Sequence, residues 1–261
     1  MRRPHRIAAA LLLVTAAACA DGTVRVAFRP PTGARYTYRV TVTAEVATRI
    51  GDRPPRRTTE EDVFTARHAV LSTGPTGSRV EVRLEAEGQE PRTFVVRFDR
   101  AGQLAEVQRI EGIPAGILGG LGLSEIFPAA AAAPPERPLA PGDRWVIDES
   151  VDLPGSSRIQ GTGRVTALGM VRGRKLATVE SDYVLPVSRT ADEGENRLRL
   201  DGTQRTRATS THDVDDGAVE AVEADTTGTF AIQLLPPEGT TGPVVPGQLE
   251  VRVRSTTTRI R

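Results

Sequence analysis

Tyr36-Thr37-Tyr38-Arg39-Val40-Thr41-Val42-Thr43-Ala44-Glu45-Val46 is the stretch whose reading decides the fold. Apolar or aromatic residues occupy every even position, and Thr, Arg and Glu occupy the odd ones. A period of two is the signature of a β-strand with one buried and one wet face. The pattern from Arg35 to Thr48 would extend roughly 45 Å at about 3.3 Å per residue. Strands that long twist strongly and curl toward a barrel or half-barrel.

The same rhythm recurs outward from this segment. Val80, Val82, Leu84 and Ala86 alternate with Glu81, Arg83, Glu85 and Glu87. Further strands are expected near 59–72, 92–99, 103–110, 143–152, 158–169, 174–185, 195–214, 217–235 and 247–260. Turn chemistry separates them at Gly74-Pro75-Thr76-Gly77, Asp99-Arg100-Ala101-Gly102, Arg172-Gly173 and Asp215-Asp216-Gly217. The predicted fold class is mainly β: a long curved antiparallel sheet, half-barrel or barrel-like.

Glu111 to Pro141 breaks the rhythm. It is rich in Gly, Ala and Pro, and Ser124 could cap a short helix through Phe127, with Ala129 to Ala133 extending it. Pro134, Pro135 and Pro138 would end any helix. The segment reads either as a crossover linker or as an apolar, partly helical lid on the concave face. Around it the two halves look alike. Gly33-Ala34-Arg35-Tyr36 and Gly142-Asp143-Arg144-Trp145 each precede a strand, 109 residues apart, and the Asp99-to-Gly102 and Asp213-to-Gly217 turns follow in the same order. The expected organisation is a first β half over 23–110, the crossover over 111–141 and a second, pseudo-repeated half over 142–261.

Pro138-Leu139-Ala140-Pro141-Gly142-Asp143-Arg144-Trp145 resembles the P-x-x-x-G-D-x-W centre of an uncharacterised family of bacterial secreted lipoproteins. The Gly33-x-x-Tyr36 strand start and the two Asp-to-Gly turns fit the same layout across most of 23–260. That family carries no assigned activity, so the resemblance supplies no functional residues. In architecture, a lipid-anchored curved sheet with a helical lid is similar to the LolA/LolB-type carriers and the mycobacterial lipid-binding lipoproteins. This is a likeness of layout and not of motif, and fold alone does not give function.

Cys19 is the sole cysteine of the 261 residues. Arg2, Arg3 and Arg6 precede an apolar run from Ile7 to Val14, and Thr15-Ala16-Ala17-Ala18 supplies small residues. This is the three-part layout of a secretory signal. A lipoprotein signal over 1–18 would leave Cys19 as the acylated N-terminus and 19–22 as a short tether, although Ala16 stands where lipoboxes usually carry Leu. Ordinary secretion with cleavage after Ala18 is the competing reading. The apolar run to Cys19 is 13 residues, short of the roughly 20 a spanning helix needs. Two or more acyl chains hold a protein stably on a membrane.

Removing Arg2, Arg3 and Arg6 takes the basic count from 34 to 31 against 33 acidic residues, a balance of −2. Such a chain has no electrostatic footprint for nucleic acid. Catalytic chemistry is sparse. His68 and His212 are the histidines outside the signal, and no Gly-x-Ser-x-Gly elbow accompanies them. His212, Asp213, Asp215 and Asp216 form the densest ligand-like cluster, but glycine falls at the fifth position and not the sixth, so the pattern fits an Asp-Asp-Gly turn better than a calcium loop. No paired-Cys or His-Glu-x-x-His metal motif and no phosphate loop is present. The expectation is a non-enzymatic, exported, lipid-anchored envelope protein with no metal and no cofactor. It would hold a hydrophobic ligand or lipid in the curved sheet, with Ile117, Leu118, Leu121, Ile126, Phe127, Tyr36 and Trp145 as candidate ligand-facing residues. The alternative is an interaction module docking an envelope protein through an exposed strand edge, for which the Thr/Arg-rich stretches 203–211 and 252–259 are the candidates.

Overall fold

The Tyr36–Val46 alternation becomes the long strand β1 (Arg35–Ile50) in a computed structural model that describes residues 22–99, 104–111, 134–149, 158–193, 196–237 and 239–260. β2 (Arg56–Gly74), β3 (Gly77–Ala86), β4 (Arg92–Phe98) and β5 (Leu104–Glu111) follow it. After the crossover come β6 (Arg144–Glu149), β7 (Ile159–Val171), β8 (Arg174–Glu193), β9 (Asn196–Asp213), β10 (Val219–Leu235) and β11 (Val245–Ile260). No helix occurs among the described residues. The helical reading of the crossover falls on 112–133, outside the described residues. Its described remainder, 134–141, contains a single bridge, Val24 to Leu139.

All eleven strands form one sheet in the order β5-β4-β3-β2-β1-β11-β10-β9-β8-β7-β6. Every neighbouring pair is antiparallel. The chain winds outward from β1 to the edge strand β5, reappears at the opposite edge as β6, and winds back until β11 docks on β1. The sheet is curved but not closed, with β5 and β6 as its edges. The stretches 203–211 and 252–259 are therefore not edges. They lie in β9 and β11, each paired on both sides.

Curvature separates two faces of opposite chemistry. Tyr36, Tyr38, Val40 and Val42 of β1 are buried, as are Phe64, Ala66 and Val70 of β2 and Val179, Tyr183, Leu185 and Val187 of β8. The other parity carries charge. Across β8, β9, β10 and β11 the registered row Asp182–Arg207–Asp225–Arg254 alternates in sign. Asp182 accepts from Arg205 at 2.8 Å, and Asp225 accepts from Arg252 at 3.3 Å. Such exposed pairs add little stability, but they make the outer face hydrophilic. A transmembrane β-barrel places its apolar band outward; this sheet has the reverse polarity.

The two halves begin with the same hydrogen bonding. Gly33 N–H donates to Val70 O at 2.9 Å, and Gly142 N–H donates to Val165 O at 2.8 Å. Val70 N–H returns to Ala34 O, and Val165 N–H returns to Asp143 O. Both glycines sit in the left-handed region, at φ 84° and 94°, which side chains disfavour. A register shift follows each pairing, at Val70/Ser72 and at Val165/Ala167. The two Asp turns fall between the fourth and fifth strands of each half, β4–β5 and β9–β10. β11 is thus the strand that joins two five-stranded meanders.

Trp145 packs on the backbone of β7. A Cβ built on Gly163 would lie 2.3 Å from the indole ring. Gly163→Ala should therefore displace the ring and lower stability by about 2 kcal/mol through overpacking, read as a shift in the urea midpoint and in Trp emission. An unchanged emission spectrum would show that the ring does not rest there.

Candidate functional site

The inner face of β8–β11 is built from small side chains. Ser181, Ala208, Ala224 and Ser255 are direct cross-strand neighbours in one row, which continues to Val42 on β1. The next row is Tyr183–Thr206–Thr226–Val253, with Thr206 and Thr226 hydroxyls 2.9 Å apart. On the other side runs Val179–Ser210–Val222–Thr257. Ser181, Ala208, Ala224 and Ser255 are all buried. The centre of this face is a mildly polar stripe of low side-chain volume, bordered by larger residues such as Tyr183, Leu185, Phe230 and Ile232.

One end of the same face is closed by a polar network. Residues 22–34 cross that end, with Val24, Val26 and Phe28 buried and Phe28 packed edge-on to Phe98 at 5.3 Å. Tyr36 Oη donates to Asp216 Oδ2 at 2.7 Å, and the Arg259 guanidinium lies 4.7 Å above the Tyr36 ring. Arg259 donates to Glu220 at 2.7 Å. Arg174 forks onto both oxygens of Glu220 and reaches Asp213 at 3.1 Å. Burial opposes charge on Glu220, but Arg174 and Arg259 outweigh it and hold the carboxyl below its ordinary range. Burial, reinforced by the bond to Asp216, pushes the Tyr36 phenol far up, and burial does the same to Tyr38.

Two histidines lie beside this network. His212 Nε2 is 2.8 Å from Ser210 Oγ, and its Nδ1 is 3.3 Å from Gly217 O. A serine, an imidazole and an orienting acceptor are the parts of a nucleophilic site. Here, however, Ser210 and His212 are each 1 % exposed. Burial lowers the His212 pKa to about 4, with the Gly217 carbonyl opposing the shift. No substrate reaches the hydroxyl, and the imidazole is a poor base. The pair satisfies two buried polar groups. His68 packs edge-on to Tyr38 at 4.9 Å, and burial lowers its pKa to about 3.

Of the ligand-facing residues singled out from sequence, the structure describes Tyr36 and Trp145 and does not bring them together. Cys19, Ile117, Leu118, Leu121, Ile126 and Phe127 lie outside the described residues. Tyr36 belongs to the polar network and not to an open ligand surface. Trp145 stands on the edge strand β6, with five strands between it and β1. Asp213 and Asp216 serve the network, and Asp215 contributes its backbone N–H to Asp213 Oδ1. Among the described residues no group of three or more His, Cys, Asp or Glu side chains is placed to hold a metal ion. Arg174, Glu220 and Arg259, the centre of the network, carry no motif that marks them in the sequence.

The outer face has an open groove of about 740 Å³. Its floor is the backbone of the Gly163–Ser181–Ala208–Ala224–Ser255 row, and its walls include Arg164, Glu180, Asp182 and Asp225. Arg164 pairs with Glu180, Arg207 with Asp182 and Arg254 with Asp225, so much of the charge flanking the groove is paired.

No family model and no curated protein matches the chain. A solved structure, Ail, the attachment invasion locus protein of Yersinia pestis in complex with the heparin analogue sucrose octasulfate, overlaps 86% of this chain and 99% of its own at 9% identity. Its TM-score is 0.11, too low for any argument from likeness.

Proposed function

We propose that this is a lipid-anchored, non-enzymatic protein of the cell envelope that encloses a hydrophobic ligand, of the lipid class, against the inner face of its open sheet. The observation that carries the reading is the row Ser181–Ala208–Ala224–Ser255. Four adjacent strands present small side chains at the centre of a buried face, where Val, Leu or Phe would fill a core. A guest there would be shielded from water, with the Thr206 and Thr226 hydroxyls near it. Ligand sites of this kind are mostly apolar with a few polar groups. The signal-like N-terminus with Cys19 supports the anchor, and the chain that follows it is tied to the closed end of the sheet. Native mass spectrometry of the full chain extracted from bacterial membranes tests the ligand. A reproducible added mass, lost on delipidation, is expected; a bare protein mass would overturn the reading.

β5 and β6, each paired on one side only among the described residues, favour a second reading, docking of an envelope protein by strand addition. Val146 on the edge strand β6 is 74 % exposed, the most exposed large apolar residue described. A photocrosslinker in place of Val146 would then trap one reproducible partner in intact cells, and no adduct would count against this reading.

A further inference from the structure

We propose that the β7–β8 hairpin tip, Met170 to Lys175, rests on the bilayer surface, with Met170 and Val171 at the boundary of headgroups and acyl chains and Arg172 and Lys175 against anionic phospholipid headgroups. The proposal rests on the reading of Cys19 as a membrane anchor. The geometry starts from Gly22, the first described residue. A Cβ there would lie 3.7 Å from Lys175 Nζ, so the tip stands beside the tether. Cys19 is three residues upstream, and three extended residues span at most about 11 Å. Acyl chains on Cys19 therefore hold the tip within about one headgroup layer of the membrane.

The tip has the matching chemistry. Met170 is 66 % exposed, and Val171 is exposed beside it. Leu71 and Ile260 are exposed near the same end of the sheet, so this rim carries four of the seven exposed large apolar residues described. Arg172 and Gly173 form the two-residue turn, with φ 50° and 78°. Two left-handed residues define the type I′ hairpin turn, which prefers Asn-Gly or Asp-Gly. Arg172 is the one non-glycine residue described in that region, so the turn carries a cation where its backbone favours a different residue. Lys175 is the chain's only lysine. Neither Arg172 nor Lys175 is in an ion pair among the described residues, whereas Arg174 between them is held by Glu220 and Asp213. Asp215, on the neighbouring β9–β10 turn, is an exposed acid of this rim among the described residues. Exposed apolar groups flanked by cations are the composition of an interfacial contact, and basic residues close to the surface are drawn to anionic lipid.

The test uses the full chain, purified from bacterial membranes and reconstituted into phosphatidylcholine vesicles with and without phosphatidylglycerol. Acylation blocks Cys19, so Met170→Cys installs the single reactive thiol for an environment-sensitive fluorophore. Thr203→Cys, on the outer face of β9, is the reference. The label at 170 should shift to the blue and be quenched by nitroxide-bearing lipid, more strongly with phosphatidylglycerol; the label at 203 should report water. Arg172→Glu with Lys175→Glu should abolish the phosphatidylglycerol dependence. A water-like signal at 170 equal to that at 203 would overturn the proposal. The intact mass separately reports whether Cys19 is acylated. If it is not, the anchor reading fails, and the same labels on a Cys19→Ser background decide the tip by themselves.

Discussion

Lowering the pH from 7 to 5 is expected to remove about 4 kcal/mol of folding stability, through His68 and His212. Both imidazoles are buried, and burial depresses their pKa values to about 3 and about 4. In the unfolded chain each would titrate near 6.5. The unfolded state therefore binds protons first as the pH falls. Stability is complete above about 6.5 and is lost from there down toward the folded-state values. The slope is about 1.4 kcal/mol per pH unit for each histidine, so two histidines cost about 4 kcal/mol by pH 5. Glu220 is not responsible in this window, since Arg174 and Arg259 hold its carboxyl below its ordinary range. Urea-denaturation midpoints at pH 7, 6 and 5 check the effect. His68→Phe should keep the edge-on contact with Tyr38, remove a buried Nε2 that has no hydrogen-bond partner, and halve the pH slope. A variant whose curve parallels the parent would show that His68 is not the proton acceptor.

The strands were legible because nearly every one has a large apolar residue on alternate positions. Where that signal failed, the cause is visible. The Thr/Arg-rich stretches 203–211 and 252–259 read as candidate edges because their buried parity is Ala208, Ser210, Ser255 and Thr257. Small and hydroxylated inner residues hide a central strand as an edge. The pattern predicts a strand over 174–185, ending before Pro186, yet β8 continues to Glu193. Pro186 pairs with Thr203 on the β9 side, and the β7 ladder ends at Gln160–Val184, so among the described residues no β7 pairing calls for the missing N–H. The glycine signals Gly33 and Gly142 marked equivalent positions because a left-handed residue is required at both. The polar network was not legible. Tyr36 and Asp216 are 180 residues apart, and Arg259 and Glu220 are 39 apart. Only the docking of β11 between β1 and β10 brings them together.

Glu220→Ala should cost about 3 kcal/mol, or roughly 8 °C in Tm for a domain of this size. Glu220 is the shared acceptor of two guanidiniums, with side-chain exposures of 16 % for Glu220, 27 % for Arg174 and 21 % for Arg259. Removing it leaves Arg174 with Asp213 alone and Arg259 with the face of Tyr36 alone. Most of the loss comes from cations left partly desolvated, not from the attraction that is deleted. A second substitution should therefore restore part of it. Arg259→Met in the Glu220→Ala background removes one orphaned charge and keeps an apolar stem on Tyr36, so the double variant should be more stable than the sum of the two single losses predicts. Asp225→Ala is the control. Asp225 also accepts from two arginines, Arg252 and Arg254, but on the wet outer face, where its side chain is 43 % exposed. Water replaces that carboxylate at little cost, and the loss should stay below about 1 kcal/mol. Thermal and urea unfolding of the four variants separate the cases. Equal losses for Glu220→Ala and Asp225→Ala would mean that the network is as solvated as the outer face, and that the closed end of the sheet is held by Val24, Val26 and Phe28 instead.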